Sequence, residues 1–324
     1  MTRLFFSLTW ALVLLLFPAS LLAVLSRIWE TWPPQLLYSA DIQLYETRLG
    51  CSSLLHHCVL NGSARLSGMG AVAGLPSPGG DYVAIYGLDG WLILPVDCFY
   101  ERKACSPAAL NPPANGVLIA WGPDGTTLAY IEVTTAGSVM HVLTRRCWDD
   151  SAPGRCLRQE ARLSGYALNL AGWSADGERL AFSNIQTRDL LLLDSACLAQ
   201  PDTCESMLEV LLPAGRAPSP PQWAHLAPDG TRIVFSADVS GRGIAEQLFL
   251  FDLNAQTIER FTFRQGQSTQ PQWSPEGRYL AYSGFSTRAS SDLSLFVADM
   301  QRGLHVRLIT RRGQDITGIR WWPS

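Results

Sequence analysis

One short turn recurs along most of the chain, and it limits what the chain can fold into. Trp273-Ser274-Pro275-Glu276-Gly277 runs on to Leu280-Ala281-Tyr282-Ser283, and Trp121-Gly122-Pro123-Asp124-Gly125 to Leu128-Ala129-Tyr130. Trp173-Ser174-Ala175-Asp176-Gly177 leads to Leu180-Ala181-Phe182-Ser183, and Leu226-Ala227-Pro228-Asp229-Gly230 to Ile233-Val234-Phe235-Ser236. A worn copy, Ser77-Pro78-Gly79-Gly80, precedes Val83-Ala84-Ile85-Tyr86. The copies stand roughly 45 to 53 residues apart, the spacing of one four-stranded propeller blade.

The Pro-Asp-Gly core is a hairpin turn with a mechanism. Proline presets φ, the acid bonds its own backbone, and glycine supplies the step at positive φ. The apolar residue before the turn and the alternating run after it predict two strands, each with one buried side. Residues 247–253 and 293–299 read as third strands, and 258–263 as a fourth. At the start of the chain, residues 36–40 and 42–47 read as second and third strands with no turn before them. At the other end, residues 318–324 read as a first strand that stops where its turn should begin. The last strand is therefore expected to complete the first blade and close the ring, which removes the open edges. The expected fold is all-β: a six-bladed β-propeller of four-stranded blades over residues 33–324, after an amino-terminal segment 1–32.

This order of tryptophan, Ser-Pro-Asp-Gly and Leu-Ala-Tyr-Ser resembles the WD-related repeat of TolB-type β-propellers, also found in the propeller of prolyl oligopeptidases. The resemblance covers nearly everything after residue 36. TolB-type propellers act as periplasmic partners of envelope proteins, so the resemblance implies a protein-binding role outside the cytoplasm. TolB proper carries an additional amino-terminal domain, where this chain has an apolar segment.

That segment is residues 4–25, 22 residues without a charge, flanked by Arg3 and by Arg27, Trp29 and Trp32. Its length spans a bilayer core as a helix, with the tryptophans placed for an interfacial belt. No good small-x-small cleavage site follows, which favours an uncleaved signal-anchor over a signal peptide. The eight cysteines fall as Cys51/Cys58, Cys98/Cys105, Cys147/Cys156 and Cys197/Cys204, each pair between the third and fourth strands of its blade. Eight cysteines permit many connectivities, but the repetition prefers local pairing, and four disulfides imply an oxidising compartment. Zinc is the competing assignment, although no Cys-x-x-Cys occurs and the pairs belong to separate blades. Together these place the propeller on the periplasmic or cell-surface side. Asn61-Gly62-Ser63 matches a glycosylation acceptor.

Net charge −3 and a pI near 6.0 argue against a nucleic-acid surface. An oligopeptidase-like enzyme would need a Gly-x-Ser-x-Gly elbow; Gly172-Trp173-Ser174 comes nearest, but Asp176 holds the second glycine position. No phosphate-binding loop, dinucleotide fingerprint, His-Glu-x-x-His or haem motif is present, and neither a cofactor nor a resident metal is expected. His56-His57 lie inside the first cysteine loop, where adjacent positions of an extended chain point apart and chelate poorly. Asp124, Asp176, Asp229 and Glu276 could suggest a carboxylate ring, yet each is the residue its own turn requires.

Two sets of binding residues remain. Arg188, Arg242 and Arg288 each follow the serine ending a second strand by five or six residues, in equivalent loops of three successive blades. Clustered guanidiniums can grip a carboxylate or an acidic segment; an arginine belonging to the repeat itself is the structural alternative. Two of these loops, 237–246 and 284–292, are the longest of their kind. His225, beside Trp223 on a first strand, can face the channel; a packed or solvated strand histidine is the structural alternative. The expected function is a non-enzymatic, membrane-anchored scaffold or accessory subunit, partnered by proteins in or at the membrane and by the bilayer through residues 4–25. The alternative is an enzyme or small-ligand receptor, for glycans or lactones, that uses the channel.

Overall fold

The computed structural model describes residues 30–324, apart from 41–42, 53–56, 66–72, 88–89, 102–107, 110–118, 150–154, 165, 185, 214, 265, 286–292, 311–315 and 322–324. Residues 1–29, which hold most of the expected 1–32 anchor, lie outside the described residues. Among the described residues no helix is long and apolar enough to cross a membrane.

The described strands β1–β24 form six four-stranded antiparallel sheets. Five follow chain order, and their first strands are β4 (Ala73–Pro76), β8 (Ile119–Trp121), β12 (Leu168–Trp173), β16 (Gln222–Leu226) and β20 (Ser268–Trp273). The remaining sheet takes its first strand from the end of the chain. There β24 (Thr317–Trp321) pairs with β1 (Glu30–Ala40), Leu36 opposite Trp321 and Leu37 opposite Arg320, and β2 (Gln43–Ser52) and β3 (His57–Arg65) follow. All six first strands line one cavity, so the sheets radiate from it as an all-β propeller. Tyr38, Tyr279, Leu295, Ile319 and Trp321 pack the seam where the two chain ends meet.

Burial corrects one expectation. The second strands β13 (Arg179–Asn184), β17 (Arg232–Asp238) and β21 (Tyr279–Phe285) are buried on both faces, because each sheet is sandwiched between two others. Alternation appears at the rim, as in β11 (Arg158–Ser164), and in first strands such as β4. The fourth strand expected at 258–263 is shorter, ending as β19 (Thr257–Arg260). There the Thr262 hydroxyl, not a backbone carbonyl, accepts the Leu248 N–H at 2.9 Å and ends the ladder. Helical turns were not expected either. A short helix α1 (Val96–Glu101) and 3-10 turns at Ser195–Ala199 and Pro201–Met207 sit in the hairpins between third and fourth strands.

The repeated turn does several jobs at once. In all five internal copies the turn glycine lies at φ between +67° and +75° and donates its N–H back across the turn, as Gly277 does to Ser274 at 2.8 Å. Serine, where present, is buried, and its Oγ accepts the N–H five residues on: Ser77 from Tyr82, Ser174 from Arg179, Ser274 from Tyr279, at 2.9–3.1 Å. The turns also pack on one another. A Cβ on Gly177 would meet Pro123 Cγ at 3.2 Å, and one on Gly277 would meet Pro228 Cδ at 3.7 Å.

The repeat tryptophan joins sheets. Trp121 Nε1 donates to Leu75 O at 2.9 Å, Trp273 Nε1 to His225 O at 3.3 Å and Trp321 Nε1 to Gln272 O at 2.9 Å. Each acceptor lies on the first strand of the preceding sheet. Trp173 is the exception: its Nε1 is buried without a hydrogen-bond partner.

Two of the cysteine hairpins are closed as the repetition implied. Cys147–Cys156 and Cys197–Cys204 are disulfides with Cα–Cα distances of 4.5 and 4.9 Å, and Cys98 is disulfide-bonded as well. Backbone register sets Cys51 opposite Cys58, while Cys105 lies outside the described residues. The Cys197–Cys204 hairpin reaches the neighbouring sheet, where Gln159 Nε2 donates to Leu198 O at 2.9 Å.

Trp321→Phe keeps the apolar seam but leaves Gln272 O without its donor, an expected loss of about 1 kcal/mol. Trp173→Phe removes an N–H that bonds nothing and is expected to cost less. Chemical denaturation of the two variants checks this, and equal losses would refute the staple. The paired change Cys197→Ala with Cys204→Ala is expected to cost about 2–3 kcal/mol from loop closure alone. An unchanged denaturation midpoint would contradict it.

Candidate functional site

Antiparallel sheets place the first-to-second-strand turns at one end and the second-to-third-strand loops at the other. Candidate residues lie in the channel and on the loop end.

The channel cavity has a volume of about 610 Å³. Trp91, Trp121, Trp173, Trp223, Trp273 and Trp321 border it, with His225, Gln270, Gln272 and Arg320 among its polar residues. Trp223 and His225 are thus both on its wall. Trp223 is 44% exposed, a large aromatic surface left uncovered.

Backbone geometry sets these side chains. Pairing slips between Gln222 and His225 on β16 and between Thr269 and Gln272 on β20, and β1 slips against β24 between Leu37 and Ser39. At matching heights Trp223, Gln270 and Gly318 adopt φ of +49°, +52° and +59°. An extra residue at such a bulge re-aims its neighbours. For a tryptophan or glutamine this conformation costs roughly 1 kcal/mol or more, which the surrounding structure must offset.

The electrostatics of the channel are lopsided. Burial lowers the Arg320 guanidinium to about 10, which leaves it charged at neutral pH. It donates to Ile319 O at 2.7 Å, and no carboxylate pairs with it among the described residues. Burial, and secondarily the Arg320 charge, push His225 down to about 3, so its imidazole is neutral. Its Nδ1 is buried without a hydrogen-bond partner.

On the loop end, the backbone N–H of Arg188 donates to Asn184 O at 2.8 Å at φ +70°, and Arg188 borders a cleft of about 500 Å³ with Asp238 and Glu246. Arg242 is exposed on the neighbouring sheet's loop and does not border the cleft. Arg288 lies outside the described residues, as does most of the 284–292 loop. The loop expected at 237–246 is shorter, 239–245, because β17 continues through Asp238 and β18 (Glu246–Asp252) starts at Glu246.

Asp238 organises that loop. Its carboxylate accepts the N–H of Ser240, Gly243 and Ala245 at 2.8–3.1 Å and the Ser240 hydroxyl at 2.7 Å. Burial alone would raise its pKa, but the Gly243, Ser240 and Ala245 bonds outweigh it and hold the carboxyl far below the usual range. Burial raises Glu246 beside it, against a bond from Ser236 and with the Asp238 charge adding to the rise. A depressed carboxyl stabilises the fold above the unfolded pKa, about 3.9, and loses that effect as pH falls through the folded value.

Three of the four acidic turn residues bond within their own turns. Asp124 accepts from the N–H and hydroxyl of both Thr126 and Thr127, Asp176 from Ser174 Oγ and Glu178 N, and Asp229 from Thr231 N. His141 is buried among Glu132, Glu160 and Arg158 and stacked on Tyr130, a paired cluster toward the rim of its sheet. His56 and the side chain of His57 lie outside the described residues.

Sequence reasoning missed Arg320, Gln270 and Gln272. The signal was available: the residue just before the repeat tryptophan or leucine is Gly172, His225, Gln272 and Arg320 in four successive copies.

No family model and no curated protein matches the chain in sequence. Solved structures do. TolB from Acinetobacter baumannii is 11% identical with a TM-score of 0.63, over 90% of this chain and 67% of that one. A putative TolB from Agrobacterium tumefaciens is 14% identical with a TM-score of 0.58, over 90% and 99%. An oligogalacturonate lyase in complex with manganese is 12% identical with a TM-score of 0.51, over 83% and 73%. At these identities the likeness is one of fold: a TolB-like β-propeller.

In Asp238→Ala, hydrogen exchange at the Gly243 and Ala245 amides is expected to speed up at least about tenfold, while β17 keeps its protection. In the parent chain the same amides are expected to stay protected at pH 4. Unchanged exchange in the variant would show that the carboxylate does not hold the loop.

Proposed function

We propose that this chain is a six-bladed, non-enzymatic propeller, anchored through residues 4–25, that binds a protein partner on the extracytoplasmic side of a membrane. The observation that carries the binding role is the 239–245 loop. Asp238 holds its backbone in one conformation, yet it presents Val239, Arg242 and Ile244 to solvent, Ile244 at 60% exposure. An ordered loop with an uncovered aliphatic tip and a cation loses little conformational entropy on docking, the property of a preorganised contact surface. Arg188, on the adjacent loop, adds a second guanidinium to the same face, and the two suit an acidic segment of the partner.

The compartment is supported by the disulfides, which persist in oxidising surroundings. The bilayer attachment is supported by the uncharged run 4–25. The ring of six blades is supported by the β24–β1 pairing, which draws both chain ends into one sheet.

The test is gentle detergent extraction of native membranes, separation on a native gel and identification of what co-migrates. A partner at fixed stoichiometry is expected. Arg242→Glu with Ile244→Asp is expected to cut the co-migrating fraction at least about tenfold while stability changes by less than about 0.5 kcal/mol. Migration of the parent chain alone, or full retention of the partner by the double variant, would overturn the proposal.

A further inference from the structure

The channel holds an imbalance that docking on the loops leaves unused. Among the described residues that line the cavity, Arg320 is the one side chain charged at neutral pH, since His225 is neutral. A cation taken partly out of water with no carboxylate beside it is costly, and proteins normally supply a counter-charge or bind one. Here the lining supplies none. The guanidinium presents a planar fork matched to two carboxylate oxygens.

A second group points the same way. His225 Nδ1 is buried on the channel wall with no hydrogen-bond partner. Turning the ring about its χ2 bond brings that nitrogen to the lumen, where, protonated, it donates to one oxygen of an anion held by Arg320.

The polarity of the cavity is also sided. His225, Gln270, Gln272 and Arg320 belong to three consecutive first strands, β16, β20 and β24. The facing wall, from β4, β8 and β12, is mostly apolar, with Leu75, Ile119, Trp121, Leu170 and Trp173; the hydroxyls of Ser77 and Ser174 there are engaged in their own turns, and the unpartnered Trp173 indole N–H is neutral. A cavity polar on one side and apolar on the other fits an amphiphile better than a glycan, which carries hydroxyls all round. A volume of about 610 Å³ lies within the range of small-molecule sites.

We propose that the channel binds a monocarboxylate with an aromatic or branched apolar body, the carboxylate forked by Arg320 beside His225 and the body against Trp121 and Trp173. One cation calls for one negative charge, so phosphomonoester dianions and polyanions fit poorly. The carboxylate has two possible sources: a free organic acid, or the carboxyl terminus of a peptide that ends in an apolar residue.

The probes are phenylacetate against its neutral isostere phenylacetamide, and the tripeptide Gly-Gly-Phe with a free against an amidated carboxyl terminus. Each is titrated into the purified full chain by calorimetry, with tryptophan fluorescence as a second readout. At least one acid is expected to saturate and to bind at least about tenfold tighter than its amide. Arg320→Gln is expected to abolish that preference, and His225→Phe to reduce it. Since Arg320→Gln touches the closing strand, the acid-to-amide ratio on the unmodified chain stands as a measurement independent of folding. Saturation by phenylacetate identifies a free acid as sufficient, and saturation by the peptide acid alone identifies a chain end. Equal affinity of acid and amide in both pairs, or no saturation by either acid at millimolar concentration, would overturn the proposal. The Arg242→Glu, Ile244→Asp variant is expected to bind the acid normally, so failure of the loop-docking reading and failure of this one are distinguishable.

Discussion

Ladder hydrogen bonds hold each sheet together but none of them crosses from one sheet to the next, so a propeller depends on what side chains do between sheets. Here three indole N–H groups carry part of that task, Trp121, Trp273 and Trp321 each reaching a carbonyl on the first strand of the preceding sheet. A buried carbonyl left without a donor costs about 1–3 kcal/mol, so the stitch matters more than its net strength suggests. Two of the acceptors belong to His225 and Gln272, residues that also line the channel. The interaction that joins successive sheets therefore also fixes the backbone from which the polar channel groups project.

That coupling explains what could be read in advance. The tryptophan, the serine and the turn glycine repeat because each meets the same neighbours in each sheet, and a periodic constraint leaves a periodic sequence. The pairing of β24 with β1 was legible for the same reason, since two incomplete repeats at the chain ends complement each other, but its register was not. The two disulfide hairpins Cys147–Cys156 and Cys197–Cys204 were legible from their place in the repeat. The helical turns inside them were not, because a hairpin closed by a covalent bond needs no helical period, and Asp194 capping Ala196 N is a single-residue signal.

The site was less legible. Trp223 and His225 were legible as candidates from their place on a first strand, and both do border the channel. Arg320 went unseen because it lies in β24, the copy of the repeat that ends before its turn. Only Trp321, aligned with Trp273, reveals that Arg320 occupies the place of Gln272. Backbone strain left still less trace. Gly318 announces a positive φ, whereas Trp223 and Gln270 adopt the same conformation with side chains that ordinarily avoid it.

The distribution of that strain follows the chemistry of the channel. Non-glycine residues at positive φ appear on β16 and β20, and β24 repeats the bulge with Gly318. These are the three strands that carry His225, Gln270, Gln272 and Arg320. The pairings of β4 and β8 run without a slip, and β12 meets its own slip with a glycine, Gly172. A regular first strand alternates its side chains between the two flanking sheets, which suits an apolar wall. A bulge breaks the alternation and lets successive residues address the lumen. Bulges therefore occur in both halves, but among the described first strands the non-glycine residues at positive φ, Trp223 and Gln270, both lie in the polar half of the channel, where the backbone presents hydrogen-bonding groups to the lumen.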